Sequence, residues 1–233
     1  TLCRSFQFRP VADVLAEVDF INERYPFYEV MQFVDETLNF SRDYLLALCA
    51  GMQARGMPWF CNLRPDRAID AEVLTALKNS GVRMIEIGVE SGNQRVLDAV
   101  SKKTEVEHIE EILAYATQLS LPIIGTVMLP HHIDDAESLA DTLAFVERAC
   151  DRYLFVPMAA RTYIYPGSEL SKLMPQYGMK IDAKGDVIAT AALPSELIDR
   201  TQKAIDKLQF RAMMKCGSTI MPIDNERMRK LFA

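Results

Sequence analysis

A carboxylate and a hydroxyl stand together where an apolar run of this sequence ends, at Glu90-Ser91-Gly92. The residues before them, 84–89, are apolar or small except for Glu86, and a stretch with helical spacing begins at Gln94. A carboxylate at such a turn accepts hydrogen bonds from an ammonium group or from ribose hydroxyls, and backbone N–H groups at a helix entry bind anions. The alternative is that Glu90 or Ser91 only caps the next helix.

Polar residues also come directly after the other apolar runs of the sequence. These residues are Asp35, Glu36, Asn62, Arg64, Asp66, His131, His132, Arg161 and Tyr163. In repeating βα chains the carboxyl ends of the strands meet at one edge of the sheet, where ligands bind. We therefore expect a functional site at this edge. The alternative for each residue is a strand end that is merely solvated.

The cysteines and histidines predict neither a disulfide framework nor a zinc site. The five cysteines, at positions 3, 49, 61, 150 and 216, include no close pair, which fits a reducing compartment. Cys49 and Cys150 lie in amphipathic helical patterns and are predicted to be core thiols, whereas Cys3 precedes the first helix. His131 and His132 are adjacent in an extended segment, so their side chains diverge. One of these two histidines is a candidate proton donor at the sheet edge.

Five apolar runs alternate with amphipathic stretches at an average repeat of about 30 residues, the size of one βα unit. The predicted strands are Glu29–Val34, Trp59–Leu63, Met84–Val89, Ile123–Leu129 and Leu154–Met158. The predicted helices are Val11–Tyr25, Arg42–Arg55, Ala71–Ser80, Gln94–Val100, Glu105–Leu119 and Ala136–Arg152. Short units of this kind predict an α/β fold with a parallel sheet or barrel. Because a helix comes first, we expect that the first strand of the repeat is missing.

Local signals predict where two of the helices begin. Asp70 is a predicted N-cap, and Gly81 comes just after the end of the same helix. Thr104 and Glu107 have the spacing of a capping box ahead of the next long helix.

The βα pattern stops beyond residue 172. Residues 182–186 are polar and predict a loop or a small hairpin, and a helix is predicted from Ser195 to about Lys215. Gly217 and Pro222 are expected to interrupt the remainder of the chain, with a short helix near residues 226–231. We therefore divide the chain into a core, residues 1–172, and a C-terminal extension of loop and helix, residues 173–233.

Composition narrows the class of protein. The 233 residues are 49% hydrophobic and 25% charged, as in ordinary globular domains. No apolar run is long enough to span a bilayer and no leader opens the chain, so we expect a cytoplasmic protein without a membrane partner. The net charge of −6 disfavours nucleic acid as a partner. The sequence also lacks the glycine fingerprints of dinucleotide-binding and P-loop proteins.

Several segments resemble the radical SAM superfamily, in particular the branch whose members often carry a cobalamin-binding domain. Residues 33–40, FVDETLNF, are similar to its F-x-D-D/E-x-F segment, and residues 59–66, WFCNLRPD, to the next strand of the family. Residues 81–97, GVRMIEIGVESGNQRVL, resemble its G-x-E-S turn, which residues 102–104 continue. Residues 166–170, PGSEL, are similar to its P-G-T-x-L segment. The chain departs from the family's G-x-P-G-E-T segment, where it has PHHIDD at 130–135.

This resemblance implies a partial (βα) barrel of the radical SAM type that binds S-adenosylmethionine (SAM) at a 4Fe–4S cluster. Family members cleave SAM reductively to a 5′-deoxyadenosyl radical. Three cysteines spaced C-x-x-x-C-x-x-C hold the cluster, and Cys3 matches the last of them by position, with the other two absent from this sequence. Carried over by position, the residues expected to lie by SAM are Asp35 or Glu36, Arg64, Glu90, Ser91, Gly125 and Thr126.

The resemblance further implies a reductant such as flavodoxin or ferredoxin and a small-molecule or peptide substrate. In the branch that it indicates, it also implies cobalamin and methyl transfer. Two other interpretations stay open. One is a cluster-free relative that keeps the barrel as a binding or scaffolding module. The other is an ordinary TIM-barrel lyase or hydrolase, which would need a lysine or paired acids at a strand end.

Overall fold

The computed structural model describes residues 8–35 and 37–220. Cys3, Glu36 and the short helix predicted near residues 226–231 therefore lie outside the described residues. Within the described part, five parallel strands form one sheet in the order β1-β2-β3-β4-β5. These strands are β1 (Met31–Phe33), β2 (Trp59–Leu63), β3 (Val82–Glu90), β4 (Ile123–Leu129) and β5 (Phe155–Arg161).

Helices alternate with these strands, which confirms the predicted α/β fold with a parallel sheet. They are α1 (Val11–Arg24), α2 (Arg42–Arg55), α3 (Ala71–Asn79), α4 (Gln94–Ala99), α5 (Val106–Gln118) and α6 (Ala136–Arg152). Next along the chain are a short helix, α7 (Glu169–Leu173), a hairpin of β6 (Lys180–Ile181) and β7 (Val187–Ala189), and α8 (Ser195–Ile220). No described helix is both long and apolar enough to cross a membrane.

The helices pack on one face of the sheet, where every second residue of β2 and β4 is buried. In β2 these residues are Trp59, Cys61 and Leu63. The indole Nε1 of Trp59 donates a hydrogen bond to the carbonyl oxygen of Ser80 at 3.0 Å. In β2 and β4 the residues that alternate with the buried ones are only half-buried. The sheet therefore has one closed face and one face that is accessible to a ligand.

The last helix, α8, extends beyond its predicted end and passes through Gly217, so the predicted interruption there is wrong. A glycine inside a helix costs about 1 kcal/mol relative to alanine. Packing offsets this cost, because Ala212 and Cys216 are buried in the same core as the sheet. In addition, the Nζ of Lys215 donates a hydrogen bond to the carbonyl oxygen of Cys150, at the end of α6, at 2.9 Å. The division of the chain at residue 172 stays a prediction.

The structure confirms one predicted helix cap and overturns another. The carboxylate of Asp70 accepts a hydrogen bond from the backbone N–H of Val73 at 2.9 Å, as an N-cap does. The predicted capping box at Thr104 is wrong, because its hydroxyl donates to the carbonyl oxygen of Pro65. The first N–H of α5 is instead satisfied by the side chain of Gln94, whose Oε1 lies 3.0 Å from the nitrogen of Val106.

Candidate functional site

The accessible face of the sheet carries polar side chains on β2 and β3. Strand pairing aligns Asn62 with Glu86, and Gly88 with Thr126 of β4. The hydroxyl of Thr126 donates a hydrogen bond to Oε1 of Glu86 at 3.2 Å. A parallel strand that is covered on both faces is normally apolar throughout. These polar residues therefore mark the face on which a ligand can bind.

Glu90 lies at the carboxyl end of β3 in an unusual backbone conformation. Its φ angle is +65°, a value that few residues other than glycine adopt. The strand register also shifts between Gly88 and Glu90, so Val89 is an extra residue relative to β4. Bulges of this kind redirect a side chain at the edge of a sheet. The carboxylate of Glu90 is thereby directed to the rim, with 22% of its side chain exposed.

An ion pair links Glu90 to Lys102, a residue that the sequence did not single out for the site. The ammonium Nζ of Lys102 lies 2.7 Å from Oε1 of Glu90, and both side chains are largely shielded from water. Arg64, at the end of β2, joins them, because its guanidinium donates to the carbonyl oxygen of Lys102 at 2.6 Å. These three residues line a cavity of about 390 Å³ together with Thr37. The structure thus brings two predicted residues, Arg64 and Glu90, into one site.

Gly88 leaves free the space that this ion pair occupies. A Cβ atom at this position would lie 2.6 Å from the Nζ of Lys102 and 2.7 Å from Oε1 of Glu90. Lys102 itself is positioned by a tight turn in which Ser101 and Lys103 both have positive φ angles. Strained residues of this kind cluster at functional sites. The only sequence signal for Lys102 was the short segment that continues the G-x-E-S block.

Ser91 points away from this cavity and is buried. Its hydroxyl lies 2.9 Å from the hydroxyl of Thr142 on α6, and it accepts a hydrogen bond from the backbone N–H of Asn93 at 3.1 Å. The N-cap of α4 is Asn93, whose Oδ1 accepts from the N–H of Val96. Neither Glu90 nor Ser91 is therefore the cap. A role for Ser91 in holding SAM stays a prediction.

Gly125 and Thr126 lie on opposite faces of β4. Gly125 faces the helices, where a Cβ atom would overlap the ring of Phe155. Packing thus explains the glycine, and its predicted closeness to adenine stays untested. Thr126 lies on the accessible face, one strand away from Gly88.

Asp35 does not line the cavity of Glu90 and Lys102. It is exposed and lines a second cavity, of about 520 Å³, between α1 and β1. Thr37 lines both cavities and so lies between the two groups. Glu36, the alternative to Asp35, and Cys3 are outside the described residues. The predicted contacts of Asp35, Glu36 and Cys3 therefore stay predictions.

None of the described cysteines is suited to bind iron. Cys49, Cys61, Cys150 and Cys216 are all buried. Burial raises the pKa of Cys49 to about 11 and that of Cys150 to about 12, and it raises the pKa of the other two as well. A cysteine binds iron as its thiolate. No group of three or more metal-binding side chains occurs within the described residues, so these residues alone do not fit a 4Fe–4S cluster.

Two curated proteins, both methyltransferases by name, are similar in sequence to this chain. The chain is 26% identical over 145 residues, 61% of its length, to the bacteriochlorophyllide d C-12(1)-methyltransferase of Chlorobaculum tepidum, of which it covers 32%. It is 20% identical over 162 residues to an uncharacterized methyltransferase of Pyrococcus horikoshii, of which it covers 34%. The chain therefore spans about a third of the length of these curated relatives.

Solved structures share the fold. The radical SAM methyltransferase TsrM from Kitasatospora setae, solved with cobalamin and a 4Fe–4S cluster, superposes with a TM-score of 0.62 at 13% identity, over 72% of this chain and 32% of TsrM. The cobalamin-dependent radical SAM enzyme OxsB, with aqua-cobalamin bound, gives a TM-score of 0.55 at 19% identity, over 88% of this chain and 27% of OxsB.

The sequence profile of the radical SAM superfamily matches residues 2–145. This range contains β1 to β4 and both sides of the Glu90–Lys102 ion pair. The resemblance noted in the sequence is thus confirmed over more than half of the chain, and the chain belongs to the radical SAM superfamily.

Proposed function

We propose that this chain is the SAM-binding core of a radical SAM enzyme. The observation that carries the proposal is the Glu90–Lys102 ion pair beside Arg64, at the carboxyl edge of a parallel sheet. Ligands of such sheets bind at this edge. Removing the charges of Glu90 and Lys102 from water costs free energy, and so do the positive φ angles at Glu90 and beside Lys102. A charged ligand that binds both side chains can offset this cost.

The charges of the site complement those of SAM. The amino-acid part of SAM carries an ammonium and a carboxylate, and its ribose carries two hydroxyls. Glu90 offers acceptor oxygens for the hydroxyls or for the ammonium, while Lys102 and Arg64 offer donors for the carboxylate. Gly88 leaves room for the two side chains to separate when a ligand enters. The site thus offers an opposite charge to each charged group of the amino-acid part.

The cluster would be held outside the described residues, with Cys3 as its expected ligand from this sequence. A bound 4Fe–4S cluster supplies the electron that cleaves SAM. The described cysteines do not compete for iron, because their thiols are buried and protonated at neutral pH. We further propose, on the similarity to methyltransferases and to cobalamin-binding structures, that the whole protein transfers a methyl group with cobalamin. A flavodoxin or ferredoxin reductant and a small-molecule or peptide substrate stay predictions.

SAM affinity of the full-length protein tests the role of Glu90. Removing the negative charge in Glu90→Gln should weaken binding about tenfold or more, because hydrogen bonds to charged groups contribute about 1.5–3 kcal/mol. Glu110→Gln is the control, since Glu110 also forms an ion pair, with Arg148 at 3.1 Å, but lies on α5 and does not line the Glu90–Lys102 cavity. Isothermal titration calorimetry measures both. Equal affinities for the two variants would contradict the proposal.

A second experiment separates the enzyme from a cluster-free binding module. The full-length protein is reconstituted anaerobically with iron and sulfide, reduced, and assayed for 5′-deoxyadenosine and S-adenosylhomocysteine. The enzyme should show 4Fe–4S absorbance and release at least one of these products. SAM binding without absorbance or products would identify a binding module. S-adenosylhomocysteine together with a methylated product would support methyl transfer.

A further inference from the structure

Two buried polar side chains at the carboxyl ends of β4 and β5 have no hydrogen-bond partner within the described residues. They are His131, through Nε2, and Thr162, through Oγ1, and only 9% and 5% of these residues are exposed. An unsatisfied buried polar atom costs about 1–3 kcal/mol. Such atoms are normally paired with water or with a ligand. Neither residue has a role in the SAM site proposed above.

The two residues lie on segments that are joined by a backbone hydrogen bond. The backbone N–H of Thr162 donates to the carbonyl oxygen of Leu129 at 3.1 Å, which places Thr162 beside the loop of residues 130–135. Hydrogen bonds to Asp134 fix the backbone of His131 in this loop. Its N–H donates to Asp134 at 2.7 Å, and its carbonyl oxygen accepts from the N–H of Asp134 at 3.1 Å. The second carboxylate oxygen of Asp134 accepts a hydrogen bond from the hydroxyl of Ser138 at 2.6 Å.

This loop is also attached to the segment after Glu90. The guanidinium of Arg95, on α4, donates to the carbonyl oxygen of Ile133 at 3.2 Å and to the carboxylate of Asp135 at 2.6 Å. His131 and Thr162 therefore lie at the same edge of the sheet as the Glu90–Lys102 pair.

Below His131 and Thr162, the accessible face of β4 and β5 is apolar except for Thr126. Met128 pairs in register with Ala160, and Met158 pairs with Thr126. Met128, Met158 and Ala160 are half-buried. The accessible face thus has a charged part on β2 and β3 and an apolar part on β4 and β5. Methionine side chains adapt to the shape of an apolar ligand.

We propose that His131 and Thr162 bind a polar oxygen of the substrate, whose apolar body lies over Met128, Met158 and Ala160. The inference rests on the proposed function, since it places the substrate beside SAM at one sheet edge. The imidazole nitrogen and the threonine hydroxyl each form hydrogen bonds to a hydroxyl or carboxylate oxygen. The substrate class is therefore an apolar molecule that carries such an oxygen.

Fluorinated probes test this assignment in the full-length protein. We propose ¹⁹F relaxation measurements with para-fluorobenzoate, para-fluorobenzyl alcohol and para-fluorotoluene, which share a ring and differ in the polar group. At least one oxygen-bearing probe should bind about fivefold or more tightly than para-fluorotoluene, as expected for a satisfied buried polar group. Whether benzoate or benzyl alcohol binds more tightly distinguishes a carboxylate from a hydroxyl.

Three variants localise the effect. His131→Phe and Thr162→Val keep the shape of the site and should each reduce the preference for the oxygen-bearing probe. His132→Phe is the matched control, because its ring packs against Tyr177 instead, and it should keep the preference. An equal preference in wild type, His131→Phe and Thr162→Val would overturn the assignment, as would the absence of any preference in wild type.

SAM affinity, measured on the same samples, keeps the two proposals separate. His131→Phe should bind SAM as wild type does, because His131 makes no contact with Glu90, Lys102 or Arg64 among the contacts described. Intact SAM binding without a probe preference would overturn the substrate assignment alone. Loss of SAM binding in wild type would overturn the proposed function, whatever the probes show.

Discussion

At the scale of single residues, two glycines on neighbouring strands have different tasks. Gly88 faces the accessible side of the sheet and leaves space for the ends of Lys102 and Glu90. Gly125 faces the helices and leaves space for the ring of Phe155. The ends of long side chains move at low cost, whereas a buried ring does not. Substituting each glycine by alanine therefore separates ligand binding from packing.

Gly88→Ala should weaken SAM binding and leave stability nearly unchanged, because the flexible Lys102 and Glu90 side chains yield to the new methyl group. Gly125→Ala should destabilise the protein by about 1–3 kcal/mol, the usual cost of overpacking a core. Urea unfolding and SAM titration of both variants check this. A Gly88→Ala protein that loses stability as strongly as Gly125→Ala would contradict the distinction.

At the scale of elements, the turn from β3 into α4 is held by α6, a helix some fifty residues further along the sequence. The hydroxyl of Thr142 bonds to the hydroxyl of Ser91 at 2.9 Å and accepts from the N–H of Gly92 at 3.1 Å. Asn93 adds a third link through Asp141, at 2.7 Å. Gly92 permits this approach, because a Cβ atom there would lie 2.5 Å from Phe145. The rim carboxylate of Glu90 is thus supported by a long-range contact.

Thr142→Val should destabilise the protein by about 1–3 kcal/mol, because it leaves the partly buried N–H of Gly92 without its acceptor. Thr117→Val on α5 is a useful comparison, since the Thr117 hydroxyl also accepts a distant backbone N–H, from Leu154 at 2.9 Å, but far from Glu90. Both variants should lose stability, and only Thr142→Val should also weaken SAM binding. Equal SAM affinities would show that α6 does not position the turn.

At the scale of the whole molecule, the buried thiols link stability to alkaline pH. Cys49 lies on α2 and Cys150 on α6, and burial raises both pKa values above the ordinary 9.0. A thiol whose pKa is raised in the folded state stabilises that state fully below the unfolded value. The contribution is lost as the pH rises from 9.0 towards the folded values, about 11 and 12.

Wild-type protein should therefore lose stability between about pH 8 and about pH 10.5, with about 1–2 kcal/mol of the loss from each of these thiols. The double variant Cys49→Ala, Cys150→Ala should lose correspondingly less over the same range. Urea unfolding at the two pH values measures the difference. An identical pH dependence in both proteins would mean that these two thiols keep their ordinary pKa in the folded state.

Much of the architecture is predictable from the sequence alone. Apolar runs and helical periods predicted all five strands of the sheet and the helices between them, because these patterns reflect which face of each element is buried. The strand ends were less well predicted: β5 continues through Arg161, whose side chain pairs with Asp199 on α8. Local spacing also predicted a cap at Thr104, which tertiary structure replaces with a bond to Pro65.

In the candidate site, too, some features were predictable from the sequence and others were not. The sequence alone determined that Glu90 ends a strand at the carboxyl edge of the sheet, since strand, turn and helix are local patterns. Tertiary structure alone decided that Lys102 pairs with Glu90, that Ser91 turns towards α6, and that Gly125 faces Phe155. These outcomes depend on a positive φ angle, a register shift and contacts between distant elements. Such features arise from packing in three dimensions, and one-dimensional periodicity does not encode them.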